Sequence, residues 1–280
     1  MRRLATVCGV VAMLATGGCA STVVYQPVDR VAQARGYIPA DLRKVTELTA
    51  GTDPTFEPMT YLDGSTFAGL DIDLGNAMAE RLGFKVKWTK VAFGDIIPGV
   101  ADHKIDFSMT SMFDKAKRQE KIDFVDYLYV GASIVVPKGT GDVGGLAGLC
   151  GRRVGVQAGT VYVDMTERQR QQCPAGAPLT VVTVEGDPIA EVAAGRAGAA
   201  LNDYPIAVFD AEKNPALEIS GRQLEAVPYG IGIAKDRKGL SKAFQAAFYL
   251  IVDDGTYDKL LAKWKLPEGS LKTGGLNGGV

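Results

Sequence analysis

The chain has 280 residues, of which 46% are hydrophobic and 22% are charged, and this balance is typical of a globular protein with one or two domains. The formal net charge is −1, which gives no reason to expect nucleic acid as a partner or electrostatic attraction to an anionic membrane surface. His103 is the single histidine, so hydrolases with a histidine triad and metal sites with several histidines are poor fits. We expect no metal ion or other cofactor, and we expect His103 to be exposed and uninvolved.

The first 18 residues have the pattern of an export signal. Arg2 and Arg3 precede an uncharged, largely apolar run, residues 4–18, which is too short for a membrane-spanning helix. The segment that ends at Cys19 resembles the lipobox of bacterial lipoproteins, with Thr16 where leucine is usual. We therefore predict a cleaved signal peptide, residues 1–18, and a protein that is held outside the cytoplasm by lipid on Cys19. Plain secretion or a periplasmic location is the alternative.

Two further cysteines, Cys150 and Cys173, lie in the part of the chain that would be exported, whereas Cys8 lies in the signal. Two cysteines in an oxidising compartment most simply pair with each other. We therefore predict a disulfide between Cys150 and Cys173. Two buried free thiols are the alternative.

The predicted elements begin after an irregular segment. Residues 19–44 show no clear hydrophobic periodicity, so we predict a tether with a short helix near residues 29–35. The folded part begins with a strand at residues 45–50, in which apolar and polar residues alternate. A helix is predicted at residues 71–83, because its apolar residues share one face and Gly83 stops it.

Strands and helices continue to alternate along the chain, which is the signature of an α/β fold with a parallel sheet. Two apolar strands, residues 131–137 and 227–234, enclose an independent α/β pattern that is long enough for a small lobe. We therefore interpret these strands as the crossings between two lobes. The predicted units are lobe 1 (residues 45–137 plus 228–266), lobe 2 (residues 138–227) and a flexible, glycine-rich tail (residues 267–280).

One segment carries a family resemblance. Residues 69–74, Gly-Leu-Asp-Ile-Asp-Leu, followed by Met78 and Leu82, are similar to the signature of the family 3 extracellular solute-binding proteins. Further matching segments follow the family's order within residues 45–266; they are Thr52–Pro58, Phe93–Val100, Lys117–Phe124, Gly155–Thr160 and Gly255–Asp258. The resemblance implies a two-lobe periplasmic-binding-protein fold of type II, with the two crossover strands as hinge. It also implies a receptor that passes an amino acid to the permease of an ABC importer.

The resemblance assigns roles to individual residues around a zwitterionic ligand. Arg118 matches the arginine that binds the ligand carboxylate, which a planar guanidinium can contact with two hydrogen bonds. Thr160 and the backbone N–H of Val161 would take the other side of the carboxylate, at the start of a helix. Asp203 matches the aspartate that binds the ammonium group, and Ser111 would add its backbone carbonyl.

Four more residues would surround the ligand side chain. Phe56 and Phe93 match positions whose rings flank it, and aromatic faces accept an amide or a guanidinium. Asp53 and Gln157 would be polar contacts; Asp53 would repel a second carboxylate, and Gln157 supplies no positive charge to offset that repulsion. We therefore expect glutamine, histidine or a basic amino acid ahead of glutamate and aspartate.

Each of these residues also has a simpler interpretation, in which Arg118 lies on a solvated helix face, the two phenylalanines lie in the core and Asp203 belongs to a turn. The chain also departs from the family at Phe113, where threonine is frequent, so one hydroxyl donor is in doubt. A shifted register would place Lys115 at the arginine position. We prefer Arg118, because its spacing to residues 122–124 needs no gap.

Two other functions use the same fold. Some relatives dehydrate cyclic carboxylic acids, as cyclohexadienyl dehydratase does, and such an enzyme would need an acid–base residue against the ligand. Asp53 is the evident candidate, but an intact ammonium-binding Asp203 favours an amino-acid ligand over that chemistry, and we expect the chain not to be an enzyme. A sensor for a signalling partner is the other alternative.

Overall fold

The computed structural model describes residues 29–266 and 274–280. The predicted signal peptide, together with Cys8 and Cys19, lies outside these residues. The described strands are β1 (Glu47–Thr52), β2 (Thr55–Phe56), β3 (Thr60–Asp63), β4 (Thr66–Ala68), β5 (Lys85–Lys90), β6 (Phe107–Ser108), β7 (Ile122–Pro137), β8 (Arg153–Gln157), β9 (Thr180–Val184), β10 (Ala199–Asp203) and β11 (Leu217–Ala234). The described helices are α1 (Arg30–Gly36), α2 (Leu70–Leu82), α3 (Ile96–Ala101), α4 (Ala116–Gln119), α5 (Val161–Gln172), α6 (Ile189–Ala193), α7 (Tyr204–Lys213), α8 (Lys238–Asp253) and α9 (Thr256–Lys263).

Eight of the described strands form one mixed sheet in the order β5-β1-β6-β11-β7-β10-β8-β9. Strand β1 runs parallel to β5 and β6, and β8 runs parallel to β9 and β10, as the alternation of strands and helices predicts. Strands β2, β3 and β4 form a small antiparallel sheet of their own. We call the half of the large sheet that contains β1, β5 and β6 lobe 1, and the half that contains β8, β9 and β10 lobe 2.

The long strands β7 and β11 join the two lobes. The first part of β7, residues 122–130, pairs with residues 227–234 of β11, whereas residues 132–135 of β7 pair with β10. The register of β11 against β7 shifts twice between Ser220 and Val227. Two crossover strands are therefore present: β7 pairs with β11 on both sides of Gly131, and it gains β10 as a second neighbour at Ala132, before Pro137, where the sequence places the end of lobe 1.

Helix α2 forms where the sequence predicts it. Leu74, Met78 and Leu82 are buried, and the helix packs against α8. Gly83 ends the helix with a φ of +90° and donates its backbone N–H to the last turn, a left-handed C-cap that glycine adopts without a steric penalty. In the chain the helix connects β4 to β5, and it also packs against β5, so its apolar face is buried within lobe 1.

Residues 29–44 are also folded. The side chain of Asp29 caps α1 by accepting a hydrogen bond from Ala32 N at 3.0 Å, a standard N-cap contact. Ala34, Ile38 and Leu42 are buried, and α1 packs against α8. This part of the chain therefore belongs to lobe 1 rather than to a tether.

Cys150 and Cys173 form a disulfide, which confirms the predicted pairing. It joins the end of a 3-10 turn, Gly145–Leu149, to the residue after α5. The bond therefore lies at the end of α5 that is remote from Val161.

The last described residues, 274–280, pack against lobe 1. Leu276 forms an antiparallel bridge with Val125 of β7, and Asn277 N donates to Phe124 O at 2.9 Å. These residues are therefore an ordered part of lobe 1 rather than a flexible tail. Within residues 29–266 and 274–280, no helix combines the length and the apolar composition that a membrane span requires.

Candidate functional site

A small cavity lies where the two lobes meet. Most of the residues that line it are those to which the sequence assigns ligand contacts. Its walls are formed by Phe56, Phe93, Ser111, Phe113, Arg118, Thr160, Val161, Tyr162 and Asp203. The predicted contacts that do not line it are Asp53 and Gln157.

The topology explains why these residues meet. Asp53 follows the carboxyl end of β1, and Gln157 and Asp203 are the last residues of β8 and β10. The carboxyl ends of parallel strands form the edge at which open α/β sheets place their ligands. Residues that are far apart in the sequence therefore converge on one side of the sheet.

Asp203 is buried and is held by two phenols. Its Oδ1 accepts a hydrogen bond from the hydroxyl group of Tyr162, and its Oδ2 accepts one from Tyr229 Oη at 2.5 Å. Burial raises the pKa of Asp203 to about 6, although the two tyrosines and Arg118 oppose that shift. At neutral pH the carboxylate is therefore mostly ionised, and it supplies a fixed negative charge to the cavity.

Arg118 supplies the opposite charge. Its Nη1 donates to Phe113 O at 2.9 Å and its Nη2 donates to Gly159 O at 3.2 Å, while its Cζ lies 5.4 Å from the ring centre of Phe93. Burial lowers the pKa of Arg118 to about 10, against the attraction of Asp203, so the guanidinium stays charged. These bonds use two of the five N–H donors that a guanidinium carries.

The alternative alignment, in which Lys115 takes the place of the carboxylate-binding arginine, is less consistent with this geometry. Lys115 does not line the cavity; it borders a neighbouring groove together with Lys117 and Lys121. Arg118 borders both spaces. The placement therefore favours Arg118 as the cation next to a bound ligand.

Helix α5 begins at the cavity, with Thr160 as its N-cap. The hydroxyl group of Thr160 donates to Gln157 O at 2.7 Å, and its backbone N–H donates to the same oxygen at 3.3 Å. Both donors are thus engaged within the protein, so Thr160 is a poorer donor to a ligand than the sequence suggests. Val161 is the first helical residue, where a backbone N–H has no partner within the helix, and it is the donor that the helix offers to an anion.

Ser111 adopts a left-handed conformation, with a φ of +52°, and its hydroxyl group donates to Asp71 Oδ2 at 2.9 Å. Asp71 is fully buried at the start of α2 and also accepts from Tyr127 Oη at 2.8 Å. Burial raises the pKa of Asp71 to about 7. Asp71 therefore holds the side chain of Ser111, a residue of the cavity wall, through a hydrogen bond.

Asp53 and Gln157 bond to each other across the two lobes. Asp53 Oδ1 accepts from Thr55 Oγ1 at 2.9 Å, and its Oδ2 accepts from Phe93 N at 2.9 Å and from Gln157 Nε2 at 3.2 Å. Gln157 Nε2 also donates to Glu185 O at 2.9 Å. In this structure the two side chains do not line the cavity and they tie lobe 2 to lobe 1, while their direct contact with a ligand stays a prediction.

Phe56, Phe93 and Phe113 contribute aromatic rings to the wall, and Phe113 packs against Tyr229, which does not line the cavity. The ring centroids of Phe56 and Phe93 are 6.0 Å apart, and those of Phe113 and Tyr229 are 5.0 Å apart. At the position where the family often has threonine, Phe113 thus contributes apolar surface instead of a hydroxyl donor. Among residues 29–266 and 274–280, no group of His, Cys, Asp or Glu side chains is arranged to hold a metal ion.

Sequence reasoning missed three residues of this site: Asp71, Tyr162 and Tyr229. Asp71 belongs to the recognised signature, and an acid among the apolar residues of a first helical turn could have indicated a buried partner. Tyr229 lies in an apolar strand, where a buried hydroxyl group needs an acceptor. Tyr162 carried no such signal, because its pairing with Asp203 depends on the fold.

Comparison with known proteins gives a consistent picture. The sequence profile of the bacterial extracellular solute-binding proteins, family 3, matches residues 48–267. The arginine-binding protein ArgT of Corynebacterium glutamicum is 30% identical over 250 residues, which cover 87% of this chain and 82% of that protein. The lysine/arginine/ornithine-binding periplasmic protein of Escherichia coli is 34% identical over 227 residues, which cover 76% of this chain and 85% of that protein.

Among solved structures, an ancestral arginine-binding protein bound to arginine superposes with a TM-score of 0.74 at 31% identity. The match covers 79% of this chain and 98% of that one. The chain belongs to the bacterial extracellular solute-binding proteins, family 3.

Proposed function

We propose that this chain is an extracytoplasmic receptor that binds an amino acid between its lobes and delivers it to the permease of an ABC importer. The observation that carries the proposal is the presence of Arg118 and Asp203 on the walls of one cavity. A zwitterion needs one fixed cation and one fixed anion, and this pair supplies both. Membership of family 3 supports the same function.

In the proposed complex, the ligand carboxylate binds the Arg118 guanidinium and the backbone N–H of Val161. The ammonium group binds Asp203 and the backbone carbonyl of Ser111. Closure of the lobes about the crossover strands is a hinge motion of the kind that periplasmic binding proteins use. Because closure excludes water, it strengthens these charge contacts.

We propose that the ligand has a polar or basic side chain. The relatives named above bind arginine, or lysine, arginine and ornithine, according to their descriptions. The cavity supports this choice, because the rings of Phe56 and Phe93 offer faces for a guanidinium or an amide. Behind them lies the carboxyl group of Asp53, with Gln157 rather than a cation beside it. We therefore place glutamine, histidine and the basic amino acids ahead of glutamate and aspartate.

A thermal-denaturation screen against the twenty amino acids tests this function. A ligand at 100 times its dissociation constant adds about 2.7 kcal/mol of stability, which raises the melting temperature by several degrees. The Asp203→Asn variant should lose most of that shift. A largest shift with glutamate or aspartate would contradict the ligand class, and no shift with any amino acid would contradict the function.

The geometry also bears on the enzymatic alternative. An acid–base residue would need to reach the ligand, but both carboxyl oxygens of Asp53, the evident candidate, already accept hydrogen bonds from Thr55, Phe93 and Gln157. This supports a binding protein rather than an enzyme.

We further propose that residues 1–18 are cleaved and that lipid on Cys19 anchors the protein to the membrane. The basic start, the apolar run and the lipobox-like segment support this proposal. Cell fractionation of a Cys19→Ser variant tests it: the variant should move from the membrane to the soluble fraction. Membrane retention of the variant would rule out anchoring through this cysteine.

A further inference from the structure

We propose that residues 274–280, here called the strap, hold the loop that carries Arg118 in its ligand-binding position. We call residues 114–119 the arginine loop. The proposal deepens the proposed function and rests on it, because it concerns the carboxylate-binding residue. The strap lies beyond the segment that matches the family profile, residues 48–267.

The strap is first fixed to the edge of β7. Asp126 N donates to Gly275 O at 2.9 Å, and Asn277 N donates to Phe124 O at 2.9 Å. The side chain of Asn277 completes the contact, since its Oδ1 accepts from Phe124 N at 2.8 Å and its Nδ2 donates to Asp123 Oδ1 at 3.1 Å. Together with the bridge between Leu276 and Val125, these bonds fix the strap to β7 and set the direction of the residues that follow.

The strap then contacts both ends of the arginine loop. Gly279 N donates to Asp114 Oδ2 at 2.8 Å, and Ala116 N donates to Val280 O at 3.3 Å. At the other end of the loop, Gln119 Nε2 donates to Asp114 Oδ1 at 2.8 Å and to Gly279 O at 3.3 Å. The strap therefore bonds to residues on either side of Arg118.

Outside the strap, the arginine loop is held at its first residue, where Asp114 N donates to Pro228 O at 2.9 Å, and by Arg118, which donates to Gly159 O at 3.2 Å. The helix of the loop, α4, has four residues and buries none of them, so apolar packing does not determine where it lies. The guanidinium of Arg118 takes its orientation from Phe113 O, which directly precedes the loop. A shift of Asp114 would therefore move both the base of Arg118 and the carbonyl that orients it.

Glycine is required where the strap passes the loop. A Cβ atom at residue 279 would clash with the backbone oxygen of Asp114, and one at residue 278 would lie 2.5 Å from Asp126 Oδ2. Either substitution would push the strap away from the surface that it contacts. The glycines that suggest flexibility in the sequence thus permit close docking in the structure.

A double-mutant cycle tests the proposal. Gly279→Ala should weaken binding of the best amino acid from the screen by about tenfold, the loss expected when a charge-assisted hydrogen bond is disturbed. The matched control is Gly176→Ala, where a Cβ meets nothing within 4 Å and affinity should not change. In an Arg118→Ala background, Gly279→Ala should cost little further affinity, because the two changes act through one contact. Independent, additive losses would overturn the proposal.

Hydrogen exchange of the free protein gives a readout that needs no ligand. In Gly279→Ala, and in a chain that lacks residues 274–280, amides of the arginine loop should exchange about tenfold faster or more, while those of α5 stay unchanged. Unchanged exchange in the loop would overturn the proposal that the strap holds the loop, even if the protein binds an amino acid.

The same measurement separates this proposal from the proposed function. Faster exchange in a protein that binds no amino acid would refute the proposed function and leave the strap's hold on the loop supported. Faster exchange without loss of affinity would show that the strap does not position Arg118.

Discussion

The hydroxyl oxygen of Tyr229 lies 2.5 Å from Oδ2 of Asp203. Tyr229 belongs to the crossover strand β11, and Asp203 ends strand β10 of lobe 2. The anion that is proposed to bind the ligand ammonium is thus bonded to a strand that joins the lobes. Because Tyr162 donates to the other oxygen, the ligand would be the third donor to a carboxylate that the protein already holds in place.

This arrangement predicts a pH dependence of binding. The pKa of Asp203 is raised to about 6 in the free protein, and an ammonium group binds the ionised form. Affinity should therefore fall as the pH decreases below about 6, approaching tenfold for each pH unit. The free energy of unfolding of the ligand-free protein changes with pH in the opposite direction. The raised pKa of Asp203 stabilises the fold fully below the ordinary aspartate pKa, and this stabilisation is lost as the pH rises through about 6. Calorimetric titrations between pH 4.5 and 8 measure the first effect, and denaturant unfolding measures the second.

Other titratable groups face Asp203, and they define the control. Arg118 keeps its charge throughout this range, and the pKa values of Tyr162 and Tyr229 are raised well above that of an ordinary tyrosine. Asp71 has a pKa of about 7 and repels Asp203, so it titrates in the same window. The Asp203→Asn variant should lose the step near pH 6 and keep any step near pH 7. A step near pH 6 that survives in this variant would show that another group is responsible.

Tyr229→Phe should shift that step. Removing a donor to the ionised carboxylate raises its pKa further, so the midpoint of the affinity profile should move above about 6. Tyr129→Phe is the matched control. Tyr129 is 50% exposed, and removal of its hydroxyl group should leave the midpoint unchanged. An unchanged midpoint in Tyr229→Phe would mean that this hydrogen bond does not tune Asp203.

Arg118→Ala and Asp203→Ala should each weaken ligand binding by about 30-fold or more. Truncation of one partner in a buried, hydrogen-bonded charge pair costs about 2–5 kcal/mol, because the other charge is left unpaired, and about 1.4 kcal/mol corresponds to a factor of ten. Lys115→Ala should have little effect, since Lys115 does not line the cavity. Isothermal titration calorimetry with the best ligand measures all three. A large loss with Lys115→Ala would show that the family alignment of this segment is wrong by three residues.

The sequence was sufficient for those parts of the site that depend on local pattern and register. Helix α2 has a regular apolar face and a terminal glycine, so its limits could be predicted closely. Arg118 and Asp203 could be placed because each stands in a recognisable segment. The convergence of these segments then follows from the parallel strands, whose carboxyl ends meet at one edge.

Other features could not be predicted because they depend on partners that are distant in the chain. Asp53 and Gln157 are polar residues in the expected segments, but whether they face the ligand or each other is decided by the approach of the two lobes. The strap was unpredictable for a different reason: a glycine-rich sequence is typical both of flexible segments and of backbone that docks closely. The folded protein distinguishes a flexible segment from a docked one, because a Cβ atom at Gly279 would clash with the backbone oxygen of Asp114.

The disulfide should matter for stability and little for binding. The bond between Cys150 and Cys173 closes a loop with a sequence separation of 23 residues, and a loop of this length contributes about 3 kcal/mol through the unfolded chain. Helix α5 has 12 residues and is about 18 Å long, and it separates Cys173 from the cavity end at Val161. The Cys150→Ser, Cys173→Ser double variant should therefore unfold at lower denaturant concentration and keep its ligand affinity within about twofold, consistent with sites that are too far apart to couple.

Thiol labelling of the mature wild-type protein completes this test. Under denaturing, non-reducing conditions, Cys150 and Cys173 should resist labelling, and both should react after reduction. The reduced wild type and the double variant should then show the same free energy of unfolding, because both lack the cross-link. A double variant that is as stable as the oxidised protein would mean that the bond adds no stability. A loss of affinity together with unchanged stability would instead show that the disulfide acts on the cavity through α5.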